Sequence, residues 1–217
     1  MKVHKIDSTK FQSRNQTIRY ADDIARHVNK CYPRISATNV NEFVNINAFR
    51  NLKKRLNTET KNNLRDEISD NYDAADNFTG KILAFLKPIK KYKFGNCGES
   101  AQLAAIVAKI NGIKDCHIAQ ICNQDGKDLD HSVLFVNDKK PYIIDCWLGF
   151  ADYAPNALNK YKTLYNKFFK SEDNNSLTFY TKIDDEYTDF LKDDFTRTQI
   201  NKLKRIYPEL YIKKGYV

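Results

Sequence analysis

Apolar side chains recur at helical spacing through the first part of the chain. They fall every three or four residues over 17–32, again over 43–56, and again over 72–85 on the way to Pro88. A stripe of this period is typical of the buried face of an amphipathic helix. The pattern therefore predicts a helical subdomain or cap over residues 1–87.

The pattern changes after residue 95. Small and apolar residues over 101–110 occupy nearly every side of a predicted helix, which indicates a buried helix, and Asn111-Gly112 supplies its stop. Strand-like segments then follow one another closely. Their ranges are 116–123, 131–137 and 141–147.

The last two of these segments are apolar on both faces, as in central strands, and residues 137–140 predict a hairpin turn between them. Beyond Gly149 we expect mixed helix and loop, with a last helix near 194–206. Helices, then one buried helix, then an antiparallel meander predict an α+β fold. The predicted parts are a helical N-terminal cap over 1–87, a core over 88–170 and a helical or loop extension over 171–217.

Composition narrows the class of protein. The chain has 217 residues, 41% of them hydrophobic, and a net charge of +9. Its basic clusters are short and interleaved with acidic ones, so we expect no nucleic-acid partner and favour a protein partner with an acidic surface. No apolar run approaches the roughly 20 residues of a membrane helix, and the polar N-terminus lacks a signal-peptide core. We therefore expect a soluble protein with no membrane span.

The five cysteines are odd in number, irregular in spacing and include no Cys-x-x-Cys pair. This pattern argues against a disulfide framework and predicts reduced thiols in a reducing cytosol. A zinc site is the alternative, but adjacent Cys116 and His117 would point to opposite faces of a strand. We expect no metal.

Cys97 lies between Gly95 and Gly98 at the start of the predicted buried helix. The N–H groups and positive end of a helix favour a thiolate over a thiol, as a nucleophile requires. The Cys97 amide is a candidate oxyanion donor, while Asn96 and Gly98 are candidates to donate to or line the site. A buried cysteine at a tight turn is the alternative.

His131 follows Cys97 by 34 residues, and Asp145 follows His131 by 14. On adjacent strands, an imidazole could take the thiol proton while a carboxylate orients its other nitrogen. If the two residues face each other directly, Val136 opposes Lys140 and the loop is the odd one, 137–139. Asp130 is the competing acid, expected on the other strand face. A core histidine and an ordinary strand-end acid are the alternatives.

These residues resemble the papain-like and transglutaminase-like superfamily. The motif Gly-Asn-Cys-Gly-Glu at 95–99 precedes a small-residue helix, and Asp-His-Ser-Val at 130–133 and Tyr-Ile-Ile-Asp-Cys-Trp at 142–147 fall on neighbouring predicted strands. The order Cys, His, Asp is similar to the transglutaminase-type branch and to small bacterial effectors that deamidate glutamine, transamidate or cleave host proteins. The resemblance covers residues 92–155. It departs in lacking a tryptophan before the nucleophile and an evident second oxyanion donor.

The resemblance implies a nucleophile at Cys97, a general base and acid at His131, and an orienting carboxylate at Asp145. It implies thioester chemistry on an amide of a protein substrate, without a cofactor, and an effector acting in a host cytosol. Glutamine deamidation or transamidation is the first expectation, a papain-like protease the second, and a non-catalytic binding module on the same fold the third. Trp147 is expected to wall the site, or to serve the core alone.

Overall fold

The computed structural model describes residues 8–32, 58–93, 95–123, 128–169, 179–183, 191 and 194–212. The helical pattern over 43–56 lies outside these residues. Within them the helices are α1 Ser8–Cys31, α2 Thr58–Asp73, α3 Phe78–Tyr92, α4 Cys97–Ile110, α5 Ala154–Phe169 and α6 Arg197–Ile206, and a short 3-10 helix follows at Pro208–Leu210.

The strands form one antiparallel sheet in the order β4-β3-β2-β1-β5. They are β1 Cys116–Asn123, β2 Asp128–Val136, β3 Tyr142–Asp145, β4 Phe150–Tyr153 and β5 Phe179–Ile183. Mixed helices and an antiparallel sheet agree with the predicted α+β class. The expectation of helix and loop alone beyond Gly149 is wrong, because β4 and β5 add two edge strands of four and five residues, too short to show a clear period.

Apolar side chains cover both faces of the sheet. Leu134 and Ile144 belong to the larger cluster, with α1 and α4, whereas their neighbours Val133 and Ile143 pack with α5. Successive side chains of a strand point to opposite faces, so α1 and α4 cover one face and α5 covers the other. The middle strands are therefore buried on both sides, as their sequences predict.

The single helical pattern over 72–85 is two helices in the structure. Asn77 has an extended backbone and caps α3, since its side chain accepts a hydrogen bond from the Gly80 N–H at 3.0 Å. The helix does not end at Pro88 but continues to Tyr92. Pro88 removes one backbone donor, and burial of the neighbouring Ile89 in the core helps to offset that loss.

Helix α1 is joined to the sheet by burial and by a polar contact. Ile24 and Val28 are fully buried in the larger cluster, and the Asp22 carboxylate accepts a hydrogen bond from the Ala151 N–H of β4 at 3.0 Å. The part of 1–87 that includes α1 therefore packs directly on the core. The three-part division of the chain stays a prediction.

Candidate active site

Cys97 is the first residue of α4 and is only 5% exposed. Two hydrogen bonds hold the backbone of Asn96, the residue before it. Asn96 donates its backbone N–H to the Glu99 carboxylate at 2.8 Å, and its carbonyl accepts from the Ser100 hydroxyl at 2.8 Å. N–H groups in the first turn, including those of Cys97 and Gly98, have no carbonyl of their own helix to bind. The sulfur therefore lies at the positive end of a fixed helix.

An ion pair that the sequence did not reveal ties α2 to this turn. Arg65 contacts Oε1 of Glu99 through Nε at 3.1 Å and Nη2 at 3.0 Å. Glu99 is thus shared between Arg65 and the Asn96 N–H, and it is itself buried. The pair connects α2 to the start of α4.

His131 lies at an irregular point of β2. Gln120 pairs with Ser132 and Cys122 with Asp128, so the single residue Ile121 faces residues 129–131. An irregularity of this kind bends a strand and redirects its side chains. The direction of His131 is therefore not fixed by simple alternation, and the side chain of Asp130 lies outside the described residues.

The predicted hairpin register is wrong by two residues. Val136 pairs with Tyr142 instead of Lys140, so the loop is longer than expected and runs over 137–141. At this end of β2, the N–H and side-chain amide of Asn137 bond to Asp115, the residue before β1, at 2.9 and 2.7 Å. Because the shift is an even number of residues and the loop is still odd, His131 and Asp145 stay on the same face of the sheet. The shift places Asp145 diagonally from His131 instead of directly opposite it.

The diagonal brings the two side chains together. His131 Nε2 lies 2.7 Å from Oδ2 of Asp145, and the residues are 2% and 1% exposed. Burial lowers the pKa of His131, but the Asp145 charge and this hydrogen bond outweigh burial and raise it well above its usual value. Burial likewise opposes ionisation of Asp145, yet His131 and the other donors hold its pKa below the usual range. The geometry favours an imidazolium and carboxylate pair.

The Asp145 carboxylate has three further donors. Oδ1 accepts the backbone N–H groups of Trp147 at 2.9 Å and Leu148 at 2.8 Å, and Oδ2 accepts the Tyr161 hydroxyl at 2.7 Å. The turn that supplies the backbone donors closes with the Gly149 N–H on the Asp145 carbonyl, at a positive φ of 76° that glycine adopts without strain. The carboxylate is therefore fixed by β3, its following turn and α5.

Two aromatic rings flank the imidazole. The ring centroid of Trp147 is 5.4 Å and that of Tyr161 is 5.5 Å from the His131 ring. Tyr161 is buried, whereas Trp147 is partly exposed. Trp147 thus lies beside the His131 ring on the side that reaches solvent.

The thiol and the imidazole interact. Cys97 is among the groups that raise the pKa of His131, after burial and the larger effects of Asp145. Within the described part of the chain, His131 Nδ1 is the buried side-chain nitrogen or oxygen without a hydrogen-bond partner. Because Nε2 is bound to Asp145, Nδ1 is the ring nitrogen left to exchange a proton with the sulfur. The structure thus brings together Cys97, His131 and Asp145.

Tyr161 was missed by the sequence reasoning. The signal was present, because Ala154, Ala157, Leu158 and Tyr161 recur at helical spacing and face the smaller apolar cluster. A tyrosine on such a stripe needs a partner for its hydroxyl. The partner is a residue of another element, which spacing alone does not identify.

None of the five cysteines forms a disulfide, and Cys116, Cys122 and Cys146 are buried. Among the described residues, no group of three or more His, Cys, Asp or Glu side chains could hold a metal ion. No helix in the described ranges is long and apolar enough to cross a membrane.

Comparisons of the chain with protein-family models, curated proteins and solved structures found no significant match. The function must therefore be argued from the residues themselves.

Proposed function

We propose that the protein is a papain-like or transglutaminase-like enzyme that acts through a thioester on an amide of a protein substrate. The observation that carries the proposal is the buried His131, bound through Nε2 to Asp145, with Nδ1 unpartnered and the Cys97 thiol acting on the same ring. A buried carboxylate that orients and stabilises an imidazolium is the arrangement a thiol nucleophile needs.

The first chemical step is attack on a glutamine carboxamide. His131 Nδ1 holds the proton given up by the thiol, the Cys97 sulfur bonds to the carboxamide carbon, and the carbonyl oxygen becomes an oxyanion near the first turn of α4. His131 then returns the proton to the amide nitrogen, the C–N bond breaks, and ammonia leaves. A thioester between Cys97 and the substrate remains.

The second step resolves the thioester. His131 removes a proton from water, and the resulting hydroxide oxygen bonds to the thioester carbon as the carbon–sulfur bond breaks. His131 then gives the proton to the Cys97 sulfur. Water gives glutamate, which is deamidation, and a primary amine in its place gives transamidation. No cofactor enters either step.

The substrate is proposed to be a protein with an acidic surface, because the chain carries a net charge of +9. Five cysteines without a disulfide suit a reducing cytosol, in keeping with the proposed role of a bacterial effector in a host cell.

One experiment separates the catalytic outcomes. A eukaryotic cell lysate is incubated with the wild type, with Cys97→Ala and with the control Cys31→Ala, a primary amine carrying an affinity tag is added, and peptides are read by mass spectrometry. We expect glutamine-to-glutamate conversion or amine incorporation with the wild type and the control, and neither with Cys97→Ala. New N-termini that depend on Cys97 would instead favour the protease.

A binding module is the second candidate, and the observation that favours it is the burial of Cys97 at 5% exposure. Its prediction is that wild type and Cys97→Ala produce identical peptides and retain the same bound proteins. That result would overturn the enzymatic proposal.

A further inference from the structure

Tyr161 reaches the candidate site from the opposite side of the sheet to Cys97. Its hydroxyl donates to Oδ2 of Asp145 at 2.7 Å, and the same oxygen lies 2.7 Å from His131 Nε2. The Tyr161 side chain is 5% exposed, and its ring meets the His131 ring edge-on. One carboxylate oxygen therefore serves both the imidazole and the phenol.

We propose that Tyr161 is a positioning residue that acts through Asp145 to limit how tightly the His131 proton is held. The inference rests on the proposed function, in which His131 must both take and release a proton. It adds to the Cys97, His131 and Asp145 set a fourth side chain, supplied by α5.

The physical argument is one of linkage. A hydroxyl bonds more strongly to a carboxylate whose charge is not already compensated, so the Tyr161 bond strengthens when His131 becomes neutral. The bond therefore stabilises the neutral imidazole state relative to the imidazolium. Without it, Asp145 would direct more of its charge to His131, and the imidazole would give up its proton less readily.

The other donors on Asp145 are built differently. The Trp147 and Leu148 N–H groups bind Oδ1, belong to the backbone turn and do not share the oxygen that His131 uses. Among the described side chains, the titratable groups that act on His131 are Cys97 from α4, Asp145 from β3 and, through Asp145, Tyr161 from α5. Tyr161 is thus the donor whose removal changes the charge balance at Oδ2 while leaving the turn intact.

The test is a titration of His131 by NMR, which does not depend on any enzymatic activity. Histidine-labelled protein is titrated in a Cys97→Ala background, which removes the thiol's own charge, and the His131 signal is assigned with His131→Gln. Tyr161→Phe keeps the ring and deletes the donor. The matched control is Tyr142→Phe, which makes the same change at another buried tyrosine, the first residue of β3.

We expect Tyr161→Phe to raise the titration midpoint of His131 by about half a pH unit to one unit, since this is the span of a single hydrogen bond. Tyr142→Phe should leave the midpoint unchanged. A midpoint that stays the same or falls in Tyr161→Phe overturns the proposal, even if Cys97 proves to be the nucleophile.

A second variant covers a failure of Tyr161→Phe to fold. Site-specific 3-fluorotyrosine at position 161 keeps the shape and the hydroxyl but makes it a stronger donor. The midpoint of His131 should then move in the opposite direction, downward. An upward shift, or none, would leave Tyr161 with a packing role alone and refute the inference.

Discussion

Two cysteine–histidine pairs in the described part of the chain differ in what holds the histidine. At the candidate site, His131 Nε2 is bound to the Asp145 carboxylate, so Nδ1 is left for the thiol. On α1, Cys31 lies 3.4 Å from His27 Nε2, and that same nitrogen hydrogen-bonds the Glu209 backbone carbonyl. A carbonyl only accepts, so this nitrogen carries a proton, and the other ring nitrogen, Nδ1, lies farther from the Cys31 sulfur, at 3.9 Å.

The carboxylates differ in the same way. Glu209 binds Lys90 at 2.8 Å and Tyr32 at 3.4 Å, and it does not hold the ring of His27 through its side chain. Burial first and the Glu209 charge second raise the pKa of the Cys31 thiol. The comparison teaches that a cysteine, a histidine and an acid in proximity do not by themselves make a site for a thiol nucleophile. The acid must also bind the ring nitrogen that the thiol does not use.

The largest expected effect is on thiol reactivity. His131→Ala should slow iodoacetamide labelling of Cys97 at neutral pH by at least about tenfold, because the variant lacks the imidazole proposed to take the thiol proton. His27→Ala should change labelling of Cys31 by less than about twofold, since the nearer His27 nitrogen already carries a proton and the other lies 3.9 Å from the sulfur. Rates are read by intact mass and mapped by peptide digestion. Equal sensitivity of the two cysteines to their histidines would erase the distinction between the pairs.

The next effect is on stability. Asp145→Asn should lower the free energy of unfolding by about 3–5 kcal/mol, because it leaves His131 buried without its counter-charge. Glu209→Gln, the matched change at the second pair, should cost less than about 1 kcal/mol, because its partner Lys90 is 58% exposed. Urea unfolding of both variants measures the two values. A smaller loss in Asp145→Asn than in Glu209→Gln would contradict the ion pair.

The stability difference between wild type and Asp145→Asn depends on pH through the pKa shifts of His131 and Asp145. The raised pKa of His131 gives stability that is fully present below about pH 6.5 and is lost as pH rises through its higher folded value. The lowered pKa of Asp145 gives stability present above about pH 3.9 and lost as pH falls through its folded value. The stability gap between wild type and Asp145→Asn should therefore be greatest near pH 5 and decline toward alkaline pH. A stability gap that stays constant from pH 5 to alkaline pH would refute this prediction.

The smallest expected effect is on the labelling rate of Cys31, the cysteine of the second pair. Glu209→Gln removes a charge that raises the pKa of Cys31, so labelling of Cys31 should become faster, by about threefold or less. Burial, the larger cause, is unchanged. Labelling of Cys97 in the same sample is the internal control and should not move. A slower Cys31 would show that Glu209 does not act on it through charge.

Much of the site was predictable because it depends on local pattern. A glycine on each side of Cys97 before a run of small residues predicts a helix start at the sulfur, and α4 begins there. The alternation of β2 and β3 predicts that His131 and Asp145 share a face only if the loop is odd, and the loop is odd. Parity follows from the pleat, which has a fixed period of two.

What the sequence by itself determined is therefore the class of fold, the start of α4 at Cys97 and the parity of the hairpin. The tertiary structure alone decided the register, because parity leaves loops of three and five residues equally open. It alone brought Tyr161 to Asp145 and Arg65 to Glu99, and it alone distinguished His131 from His27. Periodicity reports which face of an element is buried, but a hydrogen bond between elements depends on how those faces meet in space.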